Sequence, residues 1–202
     1  MSNYLLKNTK FFRAIKSLYK KNKELLDIIL FGSAIKGKEK PKDVDILLLF
    51  KTEVNNDIIY QMKKELDKFG IDVDIDGKTW HELFESKFLA RESILSEGYS
   101  LIHKKFLFEL FGYNSFSLFK YTLKEKSQSD RMRFQYALLG RNNSEGIIKR
   151  LDAIRLASTV ILVPVQNEET FTEFLEVWKL NYKKSKILLP IRTIHFKEMD
   201  ID

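Results

Sequence analysis

Cysteine is absent from the 202 residues, which excludes disulfides and thiolate metal sites and points to an intracellular address. No apolar run approaches the roughly 20 residues that cross a bilayer, and the apolar stretch within Met1 to Lys10 is too short for a signal peptide. The expectation is a soluble cytoplasmic protein with no membrane partner. Histidine is scarce: His81, His103 and His195 lie far apart with no ligand spacing, and they read as structural or surface groups. No Gly-rich helix-hairpin-helix signature and no basic template motif is present either.

What is there suffices for a core. Hydrophobic residues make up 44% of the chain, enough for one large domain or two small ones. The most informative stretch is Leu30-Phe31-Gly32-Ser33-Ala34-Ile35-Lys36-Gly37, followed after a basic loop by Asp43-Val44-Asp45-Ile46-Leu47-Leu48-Leu49-Phe50. Side chains alternate along a strand, so Asp43 and Asp45 point one way and Val44 and Ile46 the other. Ile46 to Phe50 reads as a strand buried on both faces. Two like charges at its head need a cation, and a divalent metal held by oxygen ligands and shared with phosphates is the ordinary answer. The apolar run Asp27 to Phe31 leads into a turn where Gly32 admits close approach of a ligand. Ser33 there offers a hydroxyl and an N–H to phosphate oxygens, and Lys36 adds a positive charge.

Together, the turn, the loop length, the acidic pair and the flanking strands resemble the signature of the nucleotidyltransferase superfamily. That superfamily includes DNA polymerase β, the minimal and antibiotic nucleotidyltransferases, and the CCA-adding and poly(A) polymerases. Gly32 and Ser33 match its turn, Asp43 and Asp45 its acidic pair, and Lys36 falls where minimal members commonly carry Arg. The resemblance implies a third carboxylate on a later strand. Asn55-Asn56-Asp57 reads as the cap of a helix with Ile58, Ile59, Met62, Leu66 and Phe69 on one side, ended by Gly70. Ile71-Asp72-Val73-Asp74-Ile75-Asp76-Gly77 then alternates strictly, a strand with one acidic face. Asp74 is the favoured third acid, central in the strand and ahead of an expected helix around Trp80 to Phe84; the other reading is an edge strand with a solvated acidic face. A helix, a Glu97-Gly98 turn and a short strand to Ile102 close the resemblance, which covers roughly residues 10 to 103 and includes an opening helix with Phe11, Phe12, Ile15, Leu18 and Tyr19 on one side.

The expected fold class is therefore α+β: a nucleotidyltransferase mixed-sheet domain with flanking helices over residues 1–103, then a second small α+β domain over 104–202 for substrate recognition. The second half carries 17 Lys and Arg against 12 Asp and Glu. Its excess sits between Lys120 and Arg155, where Lys124, Arg131, Arg133 and other cations interleave with Phe119, Tyr121, Phe134 and Tyr136. Phosphate-neutralising groups beside aromatic faces suit a nucleic-acid surface; a solvated helix face with its aromatics in the core fits equally well. Ser115 to Leu123 reads as a strand, Asp130 to Leu139 as a strand or short helix, Gly140 to Gly146 as a loop, and Ile147 to Leu156 as a helix. Ser158 to Val165 reads as a strand, Asn167 as the cap of a helix through Trp178, and Lys186 to Leu189 as a last strand.

The resemblance implies a reaction as well. Two Mg²⁺ ions about 4 Å apart, with Mn²⁺ as a substitute, promote attack of an acceptor hydroxyl on the α-phosphate of an NTP and loss of pyrophosphate. Asp43 and Asp45 bind both metals, Asp74 binds one and acts as base, and Gly32, Ser33 and Lys36 hold the outer phosphates. RNA, for instance a tRNA end, is the favoured acceptor. Transfer to a protein or small molecule, and a non-catalytic nucleic-acid-binding protein on the same scaffold, remain open. The nucleotide and the oligomeric state are not fixed by the sequence.

Overall fold

The computed structural model describes residues 8–35, 44–70, 72–142 and 144–193. They fall into two compact units divided between Phe111 and Gly112. Among the described residues no helix is long and apolar enough to cross a membrane.

The first unit opens with α1 (Thr9–Lys21). The Asn8 side chain caps it by accepting the N–H groups of Lys10 and Phe11, and Lys20 and Lys21 close it where the helix dipole favours cations. Phe11, Ile15 and Leu18 form its buried stripe. Strands β1 (Leu25–Phe31) and β2 (Val44–Phe50) pair antiparallel, both largely buried because both faces are covered. Helix α2 (Asn56–Asp67), capped by Asn55 through Asp57 and Ile58 N–H, returns the chain to β3 (Val73–Thr79), parallel to β2. At Gly77 a Cβ would lie 2.7 Å from Ile59 Cδ1 and 2.9 Å from Val54 Cγ1, so the bare backbone is what lets β3 approach α2. The Trp80 to Phe84 helix reduces to a 3-10 turn at Glu82–Phe84. Its start is tied to the end of β3, with Glu82 accepting the Thr79 N–H at 2.6 Å and Thr79 Oγ1 accepting the Glu82 N–H at 3.3 Å. Helix α3 (Arg91–Glu97), strands β4 (Tyr99–Ser100) and β5 (Lys105–Phe106) and helix α4 (Leu107–Leu110) complete the unit. Strand order in its sheet is β3-β2-β1-β4-β5. One face of this sheet packs Ile29, Leu47, Leu49, Ile94 and Leu107 against Phe31, Leu83, Phe88 and Ala90. The expected boundary at 103/104 falls just before β5, which pairs with β4 and so belongs to the first unit.

The second unit contains β6 (Tyr113–Tyr121), α5 (Gln128–Leu139), the hairpin β7 (Gly140–Arg141) and β8 (Ser144–Glu145), α6 (Ile147–Arg150), β9 (Ile154–Ala157), β10 (Val160–Pro164), α7 (Glu168–Val177) and β11 (Tyr182–Pro190). The main sheet runs β11-β6-β10-β9 with every neighbour antiparallel. The hairpin and α6 aside, this is the β-α-β-β-α-β order of the ferredoxin-like topology. Phe119 and Tyr121 of β6, Ile161 and Val163 of β10, Phe134 and Leu138 of α5, and Phe171 and Leu175 of α7 make its core.

Of the two readings of Asp130 to Leu139 the helix is the one present, capped by Ser127, whose Oγ accepts the Asp130 N–H at 3.1 Å. Other local readings change in this unit. The expected loop at 140–146 contains a hairpin, begun by Gly140 at φ +96°. The helix from Ile147 stops at Arg150, because Asp152 turns left-handed at φ +50° and sends the chain into β9. Asn167 makes no side-chain cap and instead donates to Leu151 O at 2.9 Å. Strand β11 starts well before Lys186; Lys183 and Lys184 disguise it, and such lysines are how an edge strand resists pairing with another chain.

Candidate active site

Strand β1 ends at Phe31, which pairs with Asp45 near the head of β2. One 3-10 turn, Gly32–Ile35, follows β1. Gly32 has φ +72°, and a Cβ there would collide with Asp45 Oδ2. The carboxylate thus lies against the bare Cα of the turn. Glycine is required twice over, for the left-handed backbone and for the space.

The β2–β3 register sets Asp45 beside Asp74 and Leu47 beside Asp76. Register partners project from the same face of a sheet, so Asp45, Asp74 and Asp76 share one face while Val44 and Val73 are buried on the other. The register is anchored by Val44 N–H donating to Asp72 O at 3.0 Å. The three acids of β3's face differ in their surroundings. Asp76 accepts its neighbour's Gly77 N–H at 2.8 Å and pairs with Lys78 at 3.3 Å; Asp74 is exposed and level with the partly buried Asp45; Asp72 precedes the strand and is exposed.

Structure therefore brings Gly32, Asp45 and Asp74 together. Asp43 and Lys36 lie outside the described residues, as do the Ser33 side chain and His195. Among the described residues no group of three or more acidic or imidazole side chains converges on a metal position. The two carboxylates that do stand side by side offer oxygen donors alone, the set that suits a hard divalent cation completing its shell with water and phosphate.

The basic window of the second unit divides. Lys124 is exposed in the loop before α5. Arg131 instead clamps that loop: its Nε donates to Leu123 O at 3.1 Å and Lys126 O at 3.0 Å, and a terminal nitrogen donates to Lys124 O at 3.0 Å. Arg133 points outward, 3.9 Å from Asp130. Of the interleaved aromatics, Phe119, Tyr121 and Phe134 are core residues, and only Tyr136 faces out, with the Arg141 guanidinium 4.6 Å from its ring centre.

Asp27, missed as a special residue, is buried in β1. Its Oδ1 accepts the Ser100 hydroxyl at 2.8 Å, and Ser100 Oγ in turn accepts the His103 N–H at 2.9 Å. Burial pushes its carboxyl above the ordinary range, partly offset by the Ser100 and Ile28 hydrogen bonds. It lies level with Leu49, at the other end of β2 from Asp45, so it serves the β1–β4 junction. An acid inside the run Leu25 to Phe31 was the signal that could have found it.

Residues 13–106, from α1 through β5, match the family described as polymerase beta, nucleotidyltransferase. This segment is a nucleotidyltransferase domain. The chain is also similar to solved toxin–antitoxin structures. One is a toxin–antitoxin with AMP-PNP, at 26% identity, covering 45% of this chain and 71% of that one, TM-score 0.35. Another is an MntA–HpeT complex, at 22% identity, covering 45% and 70%, TM-score 0.34. A third is the tri-AMPylated Shewanella oneidensis HEPN toxin with its MNT antitoxin, at 23% identity, covering 45% and 67%, TM-score 0.32. No curated protein matches the chain. In the nucleotidyltransferase domain, the turn at Gly32 and the register-matched pair Asp45 and Asp74 form the candidate reactive edge.

Proposed function

We propose that the chain transfers a nucleoside monophosphate from an NTP to an acceptor hydroxyl and releases pyrophosphate, with RNA as acceptor. The observation that carries the transfer is the carboxylate of Asp45 seated on Gly32 and level with Asp74. Asp43, Asp45 and Asp74 hold Mg²⁺, or Mn²⁺ in its place. When bound, the metal polarises the α-phosphate and lowers the pKa of the attacking hydroxyl. Asp74, exposed to solvent, is positioned to take the acceptor proton as the acceptor oxygen bonds to the α-phosphorus and the bond to the pyrophosphate oxygen breaks. Gly32, Ser33 and Lys36 bind the outer phosphates, where close backbone approach and positive charge favour the anion.

Support for RNA comes from the second unit. Lys120 of β6 stands directly opposite Lys183 of β11, and both are exposed. Their chain neighbours Phe119 and Tyr121 are in the core, so the lysines lie on the sheet face turned from it. Like charges directly opposite on adjacent strands repel, and a polyanion relieves that repulsion. Lys124 adds to the same sign of charge in the following loop.

The test is to incubate the full chain with each α-labelled NTP, Mg²⁺ and total cellular RNA, then separate label in RNA, protein and small molecules. Label in RNA that is lost with Asp74→Asn supports the proposal. Label in protein moves the acceptor to another class; no transfer with any NTP overturns the reaction.

A further inference from the structure

Helix α5 is apolar on two sides. Phe134 and Leu138 are buried in the core, whereas Met132, Tyr136 and Leu139, spaced i, i+4, i+7, are 51%, 38% and 46% exposed. An ordinary surface helix carries polar residues there. Its neighbour is α7, reached by Phe134 against Phe174 and Trp178 with ring centres 5.5 Å apart in each case. The outward side of α7 carries Glu173, Glu176 and Val177, the last 79% exposed. Charge is sorted between the two helices. Beside the outer stripe of α5 are Arg133 and, on the hairpin, Arg141 stacked on Tyr136. Its Asp130 is engaged by the Ser127 hydroxyl at 2.7 Å. Helix α7 holds acidic residues and no Lys or Arg.

Strands β6 and β10 are antiparallel and each feeds its own helix, so α5 and α7 run antiparallel too. A two-fold axis lying between them, along their direction, carries α5 of one copy over α7 of another. In that arrangement Arg133 of one copy faces the acidic α7 of the other, and the apolar stripe of α5 runs along the helix that exposes Val177. The same contact forms twice, the isologous arrangement of a closed dimer. We propose that this face docks a second copy of the chain. Met132, Leu139 and Val177 have no ring for a base to stack on, the one ring of the stripe, Tyr136, is already covered by Arg141, and the acidic α7 alongside repels a polyanion, so a protein surface is favoured over nucleic acid. At about 1.5 Å per residue the helices are roughly 18 and 15 Å long and about 10 Å apart. That is a patch at the small end of specific interfaces, so dissociation in the micromolar range is expected.

The experiment is sedimentation velocity of the full chain from about 1 to 200 µM, with circular dichroism and thermal unfolding to check that each variant is folded. A concentration-dependent dimer is expected, weakened by salt. Arg133→Glu and Glu173→Arg should each raise the dissociation constant at least about tenfold, and the two together should recover it. A monomer at the highest concentration, a dimer indifferent to both variants, or a double variant without recovery overturns the proposal. So does a monomer that binds RNA through Arg133.

Discussion

Replacing Gly32 by alanine should impair the reaction far more than the fold, and Gly70 provides the internal control. Both glycines are left-handed, at φ +72° and +64°, so alanine at either position carries a backbone cost of about 1–2 kcal/mol. In a unit of this size that lowers Tm by several degrees. The difference lies in what the new Cβ meets. At Gly70 nothing stands within 4 Å, whereas at Gly32 the Cβ collides with Asp45 Oδ2 and comes 3.0 Å from its Cγ. Ordinary contact begins at about 3.4 Å, so the Asp45 carboxylate must swing away by about 1 Å or more. A reacting group displaced that far costs on the order of 100-fold in rate. Thermal unfolding and single-turnover transfer of an α-labelled NTP, measured on both variants, separate the effects. Similar losses of Tm with a selective loss of transfer in Gly32→Ala are expected. A Gly32→Ala protein as active as Gly70→Ala would refute the role given to the contact between the turn and Asp45.

The buried Asp27 gives the first unit a specific pH response. Its folded pKa is raised by burial, so its favourable contribution is fully present below the unfolded value and is lost as pH climbs through the folded one. Asp27→Asn keeps the site neutral and able to accept the Ser100 hydroxyl, so its Tm should gain on that of the wild type as pH rises from about 4 to 7; parallel Tm curves would be inconsistent with this linkage. In the second unit, Arg131→Ala removes three donations to the backbone carbonyls of Leu123, Lys124 and Lys126 and should lower Tm without changing the salt slope of RNA binding. Lys120→Ser with Lys183→Ser should reduce that slope by about 1–2 and leave Tm unchanged or raised, as the opposed like charges are gone; binding titrations across salt concentrations check both.

The sequence signals that point to the candidate site are local. The Gly32-Ser33 turn between apolar runs and the strict alternation of Ile71 to Gly77 depend only on neighbours in sequence. Alternation alone leaves Asp72, Asp74 and Asp76 equivalent, however. Which of them stands level with Asp45 is set by the β2–β3 register, a tertiary quantity. Tertiary context also decided the basic window. Arg131 and Arg133 look alike in sequence, yet one ties a loop to three carbonyls and the other faces solvent, while Phe119, Tyr121 and Phe134 fill a core whose second strand lies some forty residues on, about β10. The helix expected from Ile147 to Leu156 breaks because Asp152 adopts a left-handed turn, which composition does not reveal. The part of β11 before Lys186 escaped because its lysines protect an edge, so its hydrophobic pattern is faint.

In the proposed reaction Asp74, and not its neighbour Asp76, completes the reactive edge with Asp45. Pyrophosphate release from NTP in the presence of Mg²⁺ and the acceptor that takes the label tests it directly, on Asp74→Asn and Asp76→Asn proteins with unchanged Tm. A loss of about 100-fold or more is expected for Asp74→Asn and near-normal release for Asp76→Asn, whose carboxylate is engaged by Lys78 and the Gly77 N–H. An active Asp74→Asn protein, or equal losses in the two, would contradict it.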